Sequence, residues 1–194
     1  MTRKKNGAWV FALLVAFLSI AGVSSGNAEP QSSAPVGEAA FQRMVDYLAR
    51  EGGQWRAPNP RHEPGNDRSP DAIGLWFESA AQEQVLELTV VFHYGDKVRH
   101  STRGYWYWHP GREEIVYQEV SPSGSVRSGT AHFENENTFI TLTEKFSASG
   151  DVTLNRGVNV LTEEDRHETT AYGKGPDGEW VEQNALAWTR TKLQ

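Results

Sequence analysis

The chain has 194 residues, 38% of them hydrophobic and 23% charged, with 19 Lys and Arg against 25 Asp and Glu, a net charge of −6 and no cysteine. That length and balance fit one globular domain, not a disordered or collagen-like chain. The missing cysteine excludes a disulfide scaffold, a thiolate nucleophile, an iron–sulfur cluster and Cys-ligated zinc.

The first 28 residues have the layout of a secretory signal peptide. Arg3, Lys4 and Lys5 precede an apolar run from Trp9 to Val23, and Gly26 and Ala28 supply the small residues before a cut. The run is short for a bilayer span, which needs about 20 residues. A periplasmic or secreted protein is expected, with no stable membrane span once the leader is removed. The leader holds three of the basic residues and no acidic one. Sixteen basic residues then face 25 acidic ones, a charge of −9. Such a surface repels nucleic acid, and no nucleic-acid partner is expected.

Residues 29–36 form a Pro- and Ser-rich lead, expected to be mobile. Within 37–50, Phe41, Met44, Val45 and Leu48 recur at i, i+3, i+4 and i+7, one face of an α-helix, and Gly52-Gly53 supplies a stop. A Pro-, Asn- and Gly-rich loop covers 56–70. Beyond it the pattern is strand, turn, strand. Strands are expected near 73–78, 85–94, 98–108, 114–120, 126–134, 138–147, 152–161, 166–174 and 180–190, with a short one at Trp55. About ten strands with short connections argue an antiparallel meander, and a meander that long removes its two edges by closing. The expected fold is all-β, an up-and-down barrel with one N-terminal helix, over residues 37–194. An open curved sheet wrapped on the helix is the alternative.

Strand parity predicts which side chains face inward. A two-residue turn at Gly95-Asp96 would put the stripe Leu86, Leu88, Val90 and Phe92 on the same face as Arg99 and Arg103. A three-residue loop, 95–97, pairs Phe92 with His100 and puts the stripe with Trp106 and Trp108 instead. Each buried large apolar side chain is worth about 1.5–3 kcal/mol, so the longer loop is expected. A two-residue turn at Pro110-Gly111 would pair His109 with Arg112 and Thr102 with Glu119. The loop Pro122-Ser123-Gly124 fits a type I turn followed by a left-handed glycine, pairing Ser121 with Ser125, Glu119 with Arg127, Tyr117 with Gly129 and Ile115 with Ala131. The expected interior has an apolar zone (Trp106, Ile115, Ala131, Phe133) and a polar zone (His100, Thr102, Glu119, Arg127), with Tyr117 between. Parity beyond Asn135 is ambiguous.

A His, a Glu and an Arg on adjacent inward positions can bind a polar ligand group or do acid–base work. Equally, Glu119 and Arg127 can be an ion pair capping one barrel end. No HExxH, phosphate loop or GxSxG occurs, so no metal, cofactor or nucleophile is expected. The tryptophans of the mature chain either fill the core and plug an end, or line a ligand pocket.

Gly53-Gln54-Trp55 opens the first strand, and Arg190 closes the last in Trp188-Thr189-Arg190. This resembles the lipocalin and calycin superfamily, in which a Gly-x-Trp on the first strand is crossed by an Arg or Lys from the last. The resemblance implies that Trp55 plugs the closed end and Arg190 lies across its ring. Arg56-Ala57-Pro58 departs from the Gly-rich continuation of the haem-binding barrels of this group, so haem is not implied.

The expected function is an exported carrier of a small, largely apolar molecule with one polar end. Trp106 and Phe133 would touch its apolar part, and His100, Thr102, Tyr117, Glu119 and Arg127 its polar end. The alternatives are a barrel enzyme acting on a small organic acid or phenol, with His100 or Glu119 as base and Arg127 holding a carboxylate, and a filled barrel with a structural or interaction role.

Overall fold

A computed structural model describes residues 33–191. The signal-peptide reading and the first part of the lead lie outside these residues. The chain begins with α1 (Gly37–Leu48) and a 3-10 turn (Arg50–Gly52). Ten strands follow: β1 (Gln54–Pro58), β2 (Ala72–Ala80), β3 (Val85–Tyr94), β4 (Lys97–His109), β5 (Glu114–Val120), β6 (Val126–Asn135), β7 (Thr138–Phe146), β8 (Val152–Glu163), β9 (Arg166–Lys174) and β10 (Trp180–Arg190). Each pairs antiparallel with its sequence neighbours, and β1 pairs with β10, so the barrel closes. The meander expected from the sequence is the observed one, and the open-sheet alternative is discarded.

The helix fills one end. Phe41, Met44, Val45 and Leu48, the predicted face, are all buried, with Ala40 beside them. They join one core with Trp55, Phe77, Leu86, Trp106, Ile115, Phe133, Phe139, Leu161 and Trp188. Polar contacts fix the helix to three turns of that end. Gln42 Nε2 donates to the Glu83 carbonyl at 3.3 Å and Arg43 Nε to the Glu136 carbonyl at 2.7 Å. The Tyr47 hydroxyl donates to the carbonyls of Glu163 and Arg166. Burial pushes the Tyr47 pKa up to about 12, so the phenol stays a donor.

The seam between first and last strands carries the geometry that the Gly-x-Trp resemblance implies. Trp55 pairs with Arg190, whose guanidinium lies 4.1 Å from the centre of the Trp55 ring. Trp55 is 1% exposed, and its Nε1 donates to the Leu48 carbonyl at 3.0 Å. Gly53 makes the helix-to-strand corner. Its φ is +62°, and a Cβ there would lie 1.9 Å from the Phe77 carbonyl oxygen.

Two turn expectations are corrected. Gly95-Asp96 is a two-residue turn, with Tyr94 opposite Lys97 and Phe92 opposite Arg99. The apolar stripe still meets the tryptophan face, Leu86 opposite Trp106, because the register shifts between Thr89 and Val91. There Ser101 and Thr102 share the place opposite Val90, a β-bulge. The short turn and the buried stripe are thus both kept. Pro110 to Glu113 is a four-residue loop, so His109 pairs with Glu114 and Gly104, not Thr102, faces Glu119. Glu113 takes a left-handed φ of +53°, and its N–H donates to the His109 carbonyl at 2.9 Å. A two-residue slip leaves every side chain on its expected face. The β5–β6 hairpin has the predicted register throughout, with Gly124 at φ +78°.

Gly53 and Gly150 separate backbone strain from crowding. Both have positive φ, but nothing lies within 4 Å of a Cβ at Gly150. Gly150→Ala should lose about 1 kcal/mol and Gly53→Ala about 3 kcal/mol or more in urea denaturation. Equal losses would show that the Phe77 carbonyl does not crowd the corner.

Candidate functional site

The half of the barrel away from the helix is polar inside. Register places Gly104 on β4, Tyr117 and Glu119 on β5, Arg127 and Gly129 on β6, and Thr141, Thr143 and Lys145 on β7 along one inner band. Asn155, Gly157 and Asn159 on β8 and Thr169 and Ala171 on β9 continue it. A cavity of about 200 Å³ lies among them, lined by Trp106, Tyr117, Arg127, Asn155, Thr169 and Gln183 with their neighbours. Gln183 enters through a second irregularity. The β9–β10 register shifts between Glu182 and Asn184, leaving Gln183 as an extra residue over Gly173. Gly157 also makes room, since a Cβ there would meet Thr141 Oγ1 at 2.5 Å.

The cavity shares part of its lining with a larger space at the barrel mouth. A larger space of about 590 Å³ lies under the β1–β2 loop, between Asn59, Arg61, Arg68, Ile73 and Phe92. Ala171 and Gln183 line both spaces. The loop is anchored at its base: Asn59 N–H donates to the Asp71 carbonyl at 2.9 Å, and Gly95 N–H donates to Asp71 Oδ1 at 3.0 Å.

A three-residue network occupies one wall. Arg127 Nη1 donates to Glu119 Oε2 at 3.1 Å and Oε1 at 3.3 Å, and the Tyr117 hydroxyl donates to Glu119 Oε2. Burial, then the Glu119 charge, raises the Tyr117 pKa well above the usual phenol value, so the phenol remains a donor. Its ring lies 4.2 Å, centre to centre, from Trp106. Two buried donors of this wall, Trp106 Nε1 and Arg127 Nε, have no hydrogen-bond partner among the described residues.

The sequence-derived site divides four ways. Trp106, Tyr117 and Arg127 line the cavity, and Glu119 bonds two of them. Thr102 is buried in β4, with its Oγ1 3.4 Å from Ser101 Oγ. Phe133 is committed to the helix-side core, 5.5 Å from the Phe139 ring. His100 is corrected: the bulge at Ser101-Thr102 turns it to the outer face, opposite Val91 and edge-on to Trp76 at 5.1 Å. Thr141, Thr143, Asn155, Asn159, Thr169 and Gln183 were not anticipated. The signal available for them was in β8, where Asn155, Gly157 and Asn159 alternate with Leu154, Val158 and Val160. Read by hydrophobicity, that pattern puts the wrong face inside.

No group of three or more His, Asp and Glu side chains that could hold a metal ion occurs among the described residues. No described helix is long and apolar enough to cross a membrane. Comparison with known proteins adds no family: no family model matches the chain, and no curated protein does.

One buried titratable group lies outside this wall. His167, 2% exposed, packs 5.7 Å from Trp55 and 6.4 Å from Phe139, and neither ring nitrogen has a partner among the described residues. Burial, with the Arg190 charge adding to it, lowers its pKa to about 3. The unfolded chain protonates this histidine below pH ~6.5 and the folded chain does not, so stability falls as pH drops from 6.5 towards 3. His167→Phe should flatten the stability–pH slope in that window by up to about 1.4 kcal/mol per pH unit, without loss of stability at pH 7. Urea titrations at four pH values check this, and an unchanged slope would show that His167 takes up a proton in the fold.

Proposed function

We propose that this chain is an exported, lipocalin-like binding protein that holds a small molecule in the open half of its barrel. The observation that carries the reading is the cavity lined by Thr, Asn and Gln side chains, two of whose lining residues, Ala171 and Gln183, also line the space at the mouth. A filled barrel would pack that space with apolar side chains, because polar walls without partners are costly to bury. The helix end is built that way, and the open end is not. The walls favour a polar ligand over the largely apolar one expected from the sequence, since Phe133 belongs to the opposite core. Binding is preferred to catalysis for a specific reason. Glu119 is held by both Tyr117 and Arg127, and His100, the other candidate base, is on the outer face. Export rests on the basic and apolar pattern of the first 28 residues.

Ala171 sits where the two spaces meet, so Ala171→Trp should close the throat. Native mass spectrometry of protein recovered from the exported fraction should show a bound mass on the wild type and none on the variant. The melting temperatures should agree within about 4 °C. Identical spectra for the two proteins would overturn the reading.

A further inference from the structure

We propose that the ligand is a small neutral polyol, a sugar alcohol or a monosaccharide, held by amide and hydroxyl side chains of β7 to β10. This rests on the binding reading above and adds the chemical class.

Gly157 and Gly173 hold inward positions on adjacent strands, opposite Ala171 and Asn155. With Ala171 they make a stretch of wall nearly free of side chains, and polar groups converge on it. The point where a Gly157 Cβ would lie is 2.5 Å from Thr141 Oγ1 and 3.6 Å from Asn159 Nδ2, so both side chains reach over that glycine. A Cβ at Gly173 would collide with the Gln183 amide, so the amide covers the glycine paired with Asn155. Paired inward positions lie about 5 Å apart, which makes Gln183 and Asn155 neighbours. Thr141, Asn155, Asn159 and Thr169 are only half-buried, and Gln183 is exposed. Their register faces inward, so the surface they leave open lies in the barrel, within reach of a ligand.

The hydrogen-bonding capacity left in this wall is mixed. Asn155 Nδ2 donates to the Thr153 carbonyl at 3.2 Å and Asn159 Nδ2 to the Phe139 carbonyl at 3.3 Å, which leaves both amide oxygens to accept. Thr169 Oγ1 accepts from Trp188 Nε1 at 2.9 Å, which leaves its O–H to donate. Gln183 brings an acceptor and a donor, and the Thr141 hydroxyl is both. A hydroxyl group matches such a wall, because each one donates and accepts. A carboxylate only accepts and would face the asparagine oxygens. An ammonium only donates and would leave the Thr169 O–H unanswered.

Charge in the wall is already paired. Arg127 bonds Glu119 at 3.1 Å. Arg156, the other charged lining residue, has its side chain on the outer face by register, where it bonds Glu134 at 3.4 Å and lies over the Tyr172 ring. Lys145, opposite Arg127, stands beside the mouth end of β7 and does not line the cavity. Size limits the ligand further. A space of about 200 Å³ corresponds to about seven waters at ~30 Å³ each, which admits a chain of roughly four to six hydroxylated carbons.

The test is a panel of neutral sugars and sugar alcohols from erythritol to glucose, titrated into the full chain by calorimetry and tryptophan fluorescence. Each sugar is paired with its monodeoxy analogue, its aldonic acid and its amino sugar. At least one neutral member should bind with a Kd of about 1 mM or tighter, and roughly three- to tenfold tighter than its deoxy analogue. Thr141→Val and Gln183→Met keep side-chain size and remove the polar group. Each should weaken that sugar roughly three- to tenfold, with a melting temperature within about 4 °C of the wild type. Ala171→Trp should abolish binding. If the acid or the amine binds about tenfold tighter than the neutral sugar, or if both wall variants bind it as the wild type does, the polyol assignment is overturned while the binding cavity stands. If a co-purified mass occupies the cavity and no panel member displaces it, the class is likewise overturned. If nothing binds and the wild-type mass is bare, both readings fall.

Discussion

The guanidinium of Arg190 is the joint on which this barrel depends. It lies over the Trp55 ring and donates to the carbonyls of Tyr47 and Glu164 at 2.8 and 2.9 Å, and to that of Arg50. Those acceptors belong to the helix, the turn after it and the β8–β9 connection. One side chain therefore closes the seam between first and last strands, seats the helix in the barrel end and fixes the neighbouring β8–β9 turn. These carbonyls lie at a helix end and in tight turns, where backbone partners run short; that of Arg50 also accepts the Gly53 N–H at 3.1 Å. The charge is also used well. A cation held between an aromatic face and several carbonyls is stabilised without a buried carboxylate, which would carry its own desolvation cost.

Sealing one end in this way separates the interior into two halves with different chemistry. Next to the helix, large apolar side chains interdigitate, and even His167 is held there as a neutral ring among aromatics. Beyond Trp106 and Tyr117 the inner band changes to Thr, Asn and Gly, with Arg127 ion-paired to Glu119 and Lys145 opposite Arg127. The apolar half supplies the stability from buried area, which leaves the polar half free to keep a cavity. Trp106 stands at the boundary. It packs edge-on to Phe139 at 6.3 Å on one side and against Tyr117 at 4.2 Å.

Much of this was legible in the sequence where a periodic apolar pattern fixed a face. The helix face of Phe41, Met44, Val45 and Leu48 is such a case, and so is the β5–β6 register, set by a turn whose glycine must be left-handed. The pattern was less informative where the chain departs from one residue per position. At Gly95-Asp96, hydrophobicity and turn length gave opposite answers. A longer loop would reconcile the two, but the protein reconciles them with the bulge at Ser101-Thr102. In β8 the pattern misleads outright, because Val152 and Leu154 are exposed on the outer face at 53% and 40% while the asparagines point inward.

Those irregularities decide the composition of the candidate site. A β-bulge reverses the facing of every residue on one side of it relative to the other, so a single extra position can exchange a whole row of side chains. At Ser101-Thr102 this sends His100 to the surface beside Trp76 and removes the one imidazole expected inside. At Gln183 it does the opposite, adding an amide to the cavity wall on a strand whose inward positions are otherwise filled by Asn184, Leu186 and Trp188. The first bulge withdraws a titratable group from the interior, and the second supplies a neutral hydrogen-bonding one at the throat. Together they leave a cavity wall rich in Thr, Asn and Gln, with Arg127 paired to Glu119. A wall of that kind is suited to holding a polar molecule in place, and it leaves Glu119 bound to Tyr117 and Arg127 instead of free to take a proton from a ligand.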